Sequence, residues 1–334
     1  MIEQKRKNLI KAIEDEFNTK VIVYFTGDRR GLETQIHSEV LEFFVDHLDK
    51  IGQVERISLF LYTRGGNTLA GWSLVNLIRQ FCEHFEVIVP SKCHSTGTLI
   101  ALGAEKIIMT KQATLGPIDP SVTTPLNPNI PNNPQARIPV NVESIRGFLD
   151  LAREELRIKN DENLSSILLK LSDYINPLVL GDVYRAKSQI QMLARKLLQN
   201  QALDTDKIDK VISFLVSESG SHDYTIDRRE ARNGLGLKVE KPNDRQYSLI
   251  KSLYEDIRTE LELVTPLDFN TMLGANTTVP YSFRRAIIES LTYGSHYFLS
   301  EGTLQRTKIQ VQPGVHQDAI NDNRKFEGWR FFAV

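Results

Sequence analysis

The stretch Val89-Pro-Ser-Lys-Cys-His-Ser95-Thr-Gly-Thr-Leu-Ile-Ala-Leu-Gly-Ala104 decides how this chain is read. The run before it, Phe85-Glu-Val-Ile-Val89, has the β-branched and aromatic content of a buried strand. After a short polar turn, small and apolar residues from Ser95 onward follow helical spacing. A serine at a strand–turn–helix junction projects its hydroxyl from a tight turn. Beside it lie the N–H groups that the first turn of a helix leaves unpaired, and acyl transfer needs both. The competing reading is a serine that merely caps the helix. A second strand end lies upstream, in Leu59-Phe-Leu-Tyr-Thr-Arg-Gly65-Gly66-Asn67. Its Gly-Gly turn can aim backbone N–H groups at a developing oxyanion. The two strand ends are read as one site.

Outward from this centre, strands and helices alternate. Residues 3–18 carry an apolar stripe of Leu9, Ile10, Ile13 and Phe17, and Val21–Phe25 has strand composition. Residues 36–50 are helical by spacing, Ile57–Tyr62 is a strand, Thr68–His84 a helix, Phe85–Val89 a strand, and Ile107–Met109 a short strand. Such alternation requires crossover connections, hence an α/β fold with a mainly parallel sheet. Ligands of such sheets sit beyond the carboxyl ends of the strands, where Gly66 and Ser95 both fall. Seven of the thirteen prolines lie between Pro117 and Pro139, interleaved with asparagines, so a long loop near the site is expected, a lid or substrate guide. Residues 141–219 read as nearly all helix, residues 220–239 as strand, short helix and strand, and 244–264 as an amphipathic helix. From Thr265 the composition changes: Thr307–Gln312 alternates like an exposed strand, and Phe326–Val334 is an aromatic tail.

The 334 residues are 41% hydrophobic and 25% charged, enough for one large core, and the net charge of −1 offers no broad surface for nucleic acid or anionic membrane. The two cysteines, Cys82 and Cys93, build neither a disulfide framework nor a zinc site and read as buried thiols of a reducing compartment. No apolar run reaches the roughly 18–20 residues of a membrane span. The N-terminus has no secretory pattern, so a cytoplasmic location is expected.

Ser95-Thr-Gly-Thr-Leu-Ile-Ala-Leu-Gly-Ala followed by Leu115-Gly-Pro-Ile-Asp119-Pro resembles the Clp protease and crotonase superfamily, most of all its serine dehydrogenase proteinase branch, related to signal peptide peptidase A. Gly65-Gly66-Asn-Thr-Leu-Ala-Gly71 matches the Gly-Gly loop and following helix start of that superfamily. Thr225-Ile-Asp-Arg-Arg-Glu-Ala-Arg-Asn-Gly-Leu-Gly-Leu resembles its late Glu-Ala and Gly-Leu motif, and the similarity covers roughly residues 20–240. The resemblance implies a ClpP/crotonase-like core over 1–240, carrying the Pro/Asn-rich loop (120–139) and a helical segment (141–219). A helix over 241–264 and a small C-terminal appendage over 265–334 complete the expected organisation. It also implies a homo-oligomer, assembled by helical arms, acting on polypeptide.

One departure stands out. The place where Clp proteases carry the catalytic histidine reads Pro117-Ile118-Asp119, and the late acidic position reads His222-Asp223. Ser95 is the expected nucleophile, with Gly66 and Thr96 as oxyanion donors. His222 is the preferred base, oriented by Asp119 or by its rival Asp223. Lys187 is the alternative base of a Ser–Lys dyad, as signal peptide peptidase A uses lysine. Lys92 and His94 are near Ser95 in sequence, but adjacent side chains diverge. No metal-ligand spacing and no dinucleotide-binding Gly-x-Gly-x-x-Gly follow any strand, so no cofactor is expected. The expected activity is a serine endopeptidase. The alternatives are a crotonase-like acyl-CoA enzyme, which would not need Ser95, and a catalytically silent oligomeric scaffold.

Overall fold

The computed structural model describes residues 2–119, 121–131, 133–218, 221, 223–312 and 315–333. Its centre is an eight-stranded sheet. Five strands are mutually parallel: β1 (Lys20–Thr26), β2 (Val54–Tyr62), β3 (Cys82–Val89), β4 (Lys106–Met109) and β5 (Val239–Glu240). Three long antiparallel strands follow in sequence: β6 (Thr278–Ser290), β7 (Gly294–Gln312) and β8 (Val315–Ala333). The order across the sheet is β5-β4-β3-β2-β1-β6-β7-β8.

Both faces of the parallel part are covered, which is why its strands read as continuous apolar runs. Alternate residues go to opposite cores. Ile22, Tyr24, Leu59, Leu61, Val87 and Val89 pack under α2 (Val40–Ile51), α3 (Thr68–Ile78) and α4 (Thr96–Leu102). Val21, Val23, Phe25, Phe60 and Ile88 pack on the other face, with Ile10 and Ile13 of the N-terminal helix α1 (Ile2–Phe17). The first face also receives helices from the segment expected to be helical. That segment resolves into α5 (Val142–Asp150), α6 (Asp161–Ser172), α7 (Pro177–Leu198) and α8 (Thr205–Ser213), with α7 and α8 reaching the core. The second face is closed by α9 (Asp244–Glu260), through Ile250, Leu253 and Ile257.

Two expectations need correction. The helix read over Thr68–His84 ends at Ile78, because Cys82 and His84 are already paired with Val54 and Arg56 in the parallel ladder. Residues 265–334 are not a small piece set apart. β6 pairs antiparallel with β1 along Ile22–Thr26, so the C-terminal strands widen the main sheet. The Pro/Asn-rich loop is built from two short ladders around Asn127, whose amide donates to the carbonyls of Val122 (2.7 Å) and Ile138 (2.9 Å). Val122 and Val140 pack against Val179 and Val183 of α7.

A histidine pair ties the C-terminal strands to α2. Fully buried His47 has Nδ1 2.7 Å from Ser290 Oγ on β6, and Nε2 3.2 Å from His296 Nδ1 on β7. Burial, and then the like charge of His296, push the His47 imidazole down to about 3. Burial also lowers His296, against the opposite pull of Asp46. An unfolded histidine takes a proton near pH 6.5, whereas folded His47 refuses it. Stability is therefore fully present above pH 6.5 and falls as the pH drops toward 3, by up to about 1.4 kcal/mol per unit for His47. Urea unfolding at pH 7 and pH 5 is expected to differ by about 2 kcal/mol more in the wild type than in His47→Gln. Equal pH slopes in the two proteins would rule this out.

Candidate active site

The carboxyl ends of β1, β2 and β3 meet at one edge, and the chain continues from them as Gly27-Asp28, Thr63–Gly66 and Pro90–Ser95. Thr63 joins the last two: its N–H donates to the Lys92 carbonyl and its carbonyl accepts from the His94 N–H, each at 3.0 Å. The Gly-Gly turn and the Ser95 turn are thereby stitched side by side. Gly65 approaches so closely that a Cβ added to it would lie 2.7 Å from Ser95 Cβ and 3.1 Å from Ser95 Oγ.

Almost every polar group of the Gly-Gly turn is committed. Gly65 N–H donates to Thr63 Oγ1 (2.9 Å), and the Gly65 carbonyl accepts from Ile36 N–H (2.9 Å). The Gly66 carbonyl accepts from Thr96 Oγ1 (2.7 Å), and Asn67 N–H donates to the Ile36 carbonyl (2.8 Å). Gly66 N–H is left over: among the described residues it makes no hydrogen bond. In a trans peptide, N–H and C=O point in opposite directions. With Ile36 on the Gly65 carbonyl, the Gly66 N–H of the same peptide points away from Ile36. Gly66 has φ +147°, and a Cβ there would stand 2.3 Å from the Ile36 carbonyl oxygen, so the turn needs glycine.

Ser95 precedes α4 with φ +52° and ψ −115°, a backbone conformation that costs a non-glycine residue about 1–3 kcal/mol. Its side chain makes no capping hydrogen bond. Among the described residues its hydroxyl is bonded to nothing, which removes the capping reading. Thr96, fully buried, is the first residue of α4, and its N–H is one of the orphan donors of the helix start.

Ser95 opens into a cleft of about 280 Å³, lined also by Asp28, Glu33, Thr34, Gln35, Arg64, His94, Pro117 and Asp223. Asp28 is gripped at both oxygens, by Tyr62 OH (2.8 Å) and Lys92 Nζ (2.5 Å). Burial and then the Asp28 charge hold the Tyr62 phenol far above its ordinary value, so it stays a donor. Hydrogen bonds from the backbone N–H groups of Glu33 itself and of Gly31 hold the Glu33 carboxyl below its usual range. Sequence reading missed Asp28, Glu33 and Arg64. The one available signal was Gly27-Asp28 at the end of an apolar strand, the place where such sheets put their ligands.

The candidate bases and orienters fare differently. His222 lies outside the described residues; its neighbour Asp223 lines the cleft. Asp119 is half-buried in a loop anchored by the Ile118 N–H on the Leu215 carbonyl (2.8 Å), and it does not line the cleft. Lys187 is half-buried on α7, does not line the cleft, and acts on Glu143 of α5. Burial raises the Glu143 carboxyl, while the charges of Arg146 and Lys187 pull it down. Lys92 is paired with Asp28. The His94 ring packs on Gly116, with Nε2 2.8 Å from Thr114 Oγ1. Buried Cys93 has its thiol pushed above its usual range by burial alone. Among the described residues no three His, Cys, Asp or Glu side chains cluster as a metal site would require, and no helix is long and apolar enough to cross a membrane.

Residues 2–142 match the family described as ClpP-like SDH-type serine proteinase. The uncharacterized protein MJ0137 of Methanocaldococcus jannaschii is 28% identical over 200 residues, which is 60% of this chain and 58% of that protein. MJ1495 of the same organism is 26% identical over 258 residues, 75% of this chain and 76% of that protein. Among solved structures, a mutant of the 1510-N membrane-bound stomatin-specific protease is similar over 70% of this chain and 86% of that one, at 17% identity and a TM-score of 0.40.

Proposed function

We propose that this chain, whose residues 2–142 match the family described as ClpP-like SDH-type serine proteinase, is a member of that family and cuts peptide bonds through an acyl-enzyme on Ser95. The observation that carries the reading is the juxtaposition of a Ser95 hydroxyl with a Gly65–Gly66 pair whose Gly66 N–H is unspent, both uncommitted among the described residues.

Ser95 Oγ attacks the substrate carbonyl carbon, and its proton passes to the general base. The carbonyl π pair becomes an oxyanion, received by the N–H groups of Gly66 and Thr96. Collapse of this intermediate breaks the C–N bond, and the leaving amine takes the proton from the base. Water, deprotonated by the same base, then attacks the ester, and Ser95 regains its hydrogen. His222 is the base in this scheme. Its support is the place of Asp223, the next residue, on the cleft wall, and the general fitness of an imidazole side chain for proton transfer near neutral pH. Asp119 or Asp223 orients it. Lys187 is the less favoured base, since it serves Glu143 and is not among the cleft residues.

A fluorophosphonate probe tests the reading. Wild type is expected to be labelled, Ser95→Ala not at all, and His222→Ala slowly. Labelling that survives in His222→Ala and vanishes in Lys187→Ala would reassign the base. An unlabelled wild type that binds acyl-CoA would overturn the peptidase in favour of a crotonase-like enzyme.

The same reading makes the protein a homo-oligomer working on polypeptide. Its support is the apolar surface of the helical segment, where Phe148, Leu151, Leu156, Leu168, Leu169 and Leu178 are exposed and α6 buries none of its residues. Exposed apolar side chains concentrated on one segment are what an interface between copies would cover. Replacing Leu168 and Leu169 by glutamate is expected to lower the assembly state in sedimentation velocity while leaving the monomer folded; an unchanged sedimentation coefficient would exclude α6 from the interface.

A further inference from the structure

The segment that clamps the Gly-Gly turn has no helix or ladder of its own. Residues 27–36 run from the end of β1 to Ile36, whose N–H and carbonyl hold the Gly65 carbonyl and the Asn67 N–H. An irregular backbone in such a position needs other groups to fix it. They come from β6, some 250 residues away in sequence. Arg285 Nε donates to the Leu32 carbonyl (2.9 Å), and its Nη2 to the Glu33 carbonyl (2.5 Å). The Arg285 carbonyl accepts from Gly27 N–H (2.8 Å) and Thr34 Oγ1 (3.2 Å), so the segment is gripped on both sides. Arg285 is itself aimed from the other two C-terminal strands, with Nη1 3.0 Å from Ser300 Oγ on β7 and 3.0 Å from the Glu327 carboxylate on β8. It sits at the register shift between Arg284 and Ala286, where β6 departs from its regular pairing with β7.

We propose that Arg285 is a positioning residue for the oxyanion turn, which makes the C-terminal strands β6–β8 a working part of the Ser95 site. The inference rests on the oxyanion reading above. The chain of contacts is continuous: Glu327 and Ser300 orient the guanidinium, which fixes Leu32 and Glu33, and this segment sets Ile36. Ile36 fixes the Gly65–Gly66 peptide and so the direction of the Gly66 N–H. Only a planar guanidinium with several forked donors reaches two successive carbonyls, a hydroxyl and a carboxylate at once; a lysine ammonium cannot. The same segment supplies Glu33, Thr34 and Gln35 to the cleft wall, so its position also shapes where substrate lies.

The test uses Arg285→Ala and Arg285→Lys in the full chain, read by fluorophosphonate labelling rate, by kcat and KM on a peptide substrate, and by amide hydrogen exchange. Displacing an oxyanion donor by about 1 Å costs on the order of 100-fold in rate. Arg285→Ala is expected to label about 10–100-fold more slowly, with the loss larger in kcat than in KM. Added guanidinium ion should restore part of the rate to Arg285→Ala, and Arg285→Lys should stay slow. Peptides covering Ile36 and Gly65–Asn67 should lose exchange protection while those of β1 and β2 keep theirs. If Arg285→Ala does not fold, Thr34→Val, which removes the one hydroxyl shared between the Arg285 (3.2 Å) and Gly27 (3.3 Å) carbonyls, should give a smaller fall of the same kind. Wild-type labelling rates together with a protected Ile36 amide in Arg285→Ala would overturn the proposal. A wild type that never labels would instead overturn the peptidase reading, and the exchange of Ile36 would still decide whether the clamp exists.

Discussion

Ser95→Ala is expected to lower kcat for peptide hydrolysis by about 10⁶-fold, the scale observed when a serine nucleophile is removed from an otherwise intact site. The same substitution should leave stability within about 0.5 kcal/mol of wild type. The second half follows from the geometry of the turn. A serine that capped α4 would lose about 1 kcal/mol on truncation. Ser95 bonds to no backbone amide, and alanine inherits the same φ of +52°, so there is little to lose. Activity and stability should therefore separate completely at this position. Side-by-side measurement of peptide turnover and urea unfolding reads both. A variant that retains turnover removes Ser95 from the chemistry, and one that unfolds at markedly lower urea returns it to a structural role.

How much of this was legible in the sequence depended on whether the signal was local. The parallel strands could be read because both their faces are buried, so each is a continuous apolar run bounded by turns. The Gly-Gly turn and Ser95 could be read because a single short stretch carries the whole strand–turn–helix transition. The C-terminal strands were undervalued because they place charges inside: half-buried Arg285 and buried Glu289 of β6 are each explained only by partners elsewhere. Likewise, nothing near Ile36 announces that its backbone holds Gly65, since main-chain contacts leave no residue-type signature. Thr68–His84 was read one element too long because apolar spacing continues through Phe81 and Cys82, while the choice of strand there is made by the neighbouring ladder.

Arg6 shows how far such distant partners can matter, and Arg6→Met is expected to destabilise the protein by about 3–5 kcal/mol. Arg6 is 1% exposed. Its guanidinium reaches Asp256 (2.6 Å) and Glu260 on α9, and Glu289 (3.4 Å) on β6, with Tyr297 OH of β7 at 3.1 Å. One cation thus joins α1, α9 and two C-terminal strands. Burial alone would lower its pKa, and the charges of Glu289, Glu260, Tyr297 and Asp256 more than reverse that. Glu289 shares the cation with two other acids, and there burial wins: its carboxyl is raised above the usual range despite Arg6. Methionine matches the length of the stem but leaves Glu289 buried without its cation, which is the costly half of a broken buried pair. The sign of the pH dependence follows. A carboxyl whose folded pKa lies above its unfolded value binds protons preferentially in the folded state, so stability falls as pH rises from about 4.5 through the folded pKa. Removing Arg6 raises that folded pKa further and widens the window. The deficit of Arg6→Met relative to wild type should therefore be largest at pH 8 and shrink toward pH 5, where Glu289 escapes its charge by taking a proton. Urea midpoints of both proteins across that range measure it. A deficit that is flat with pH would mean that lost packing of the arginine stem, and not the stranded carboxylate, sets the cost.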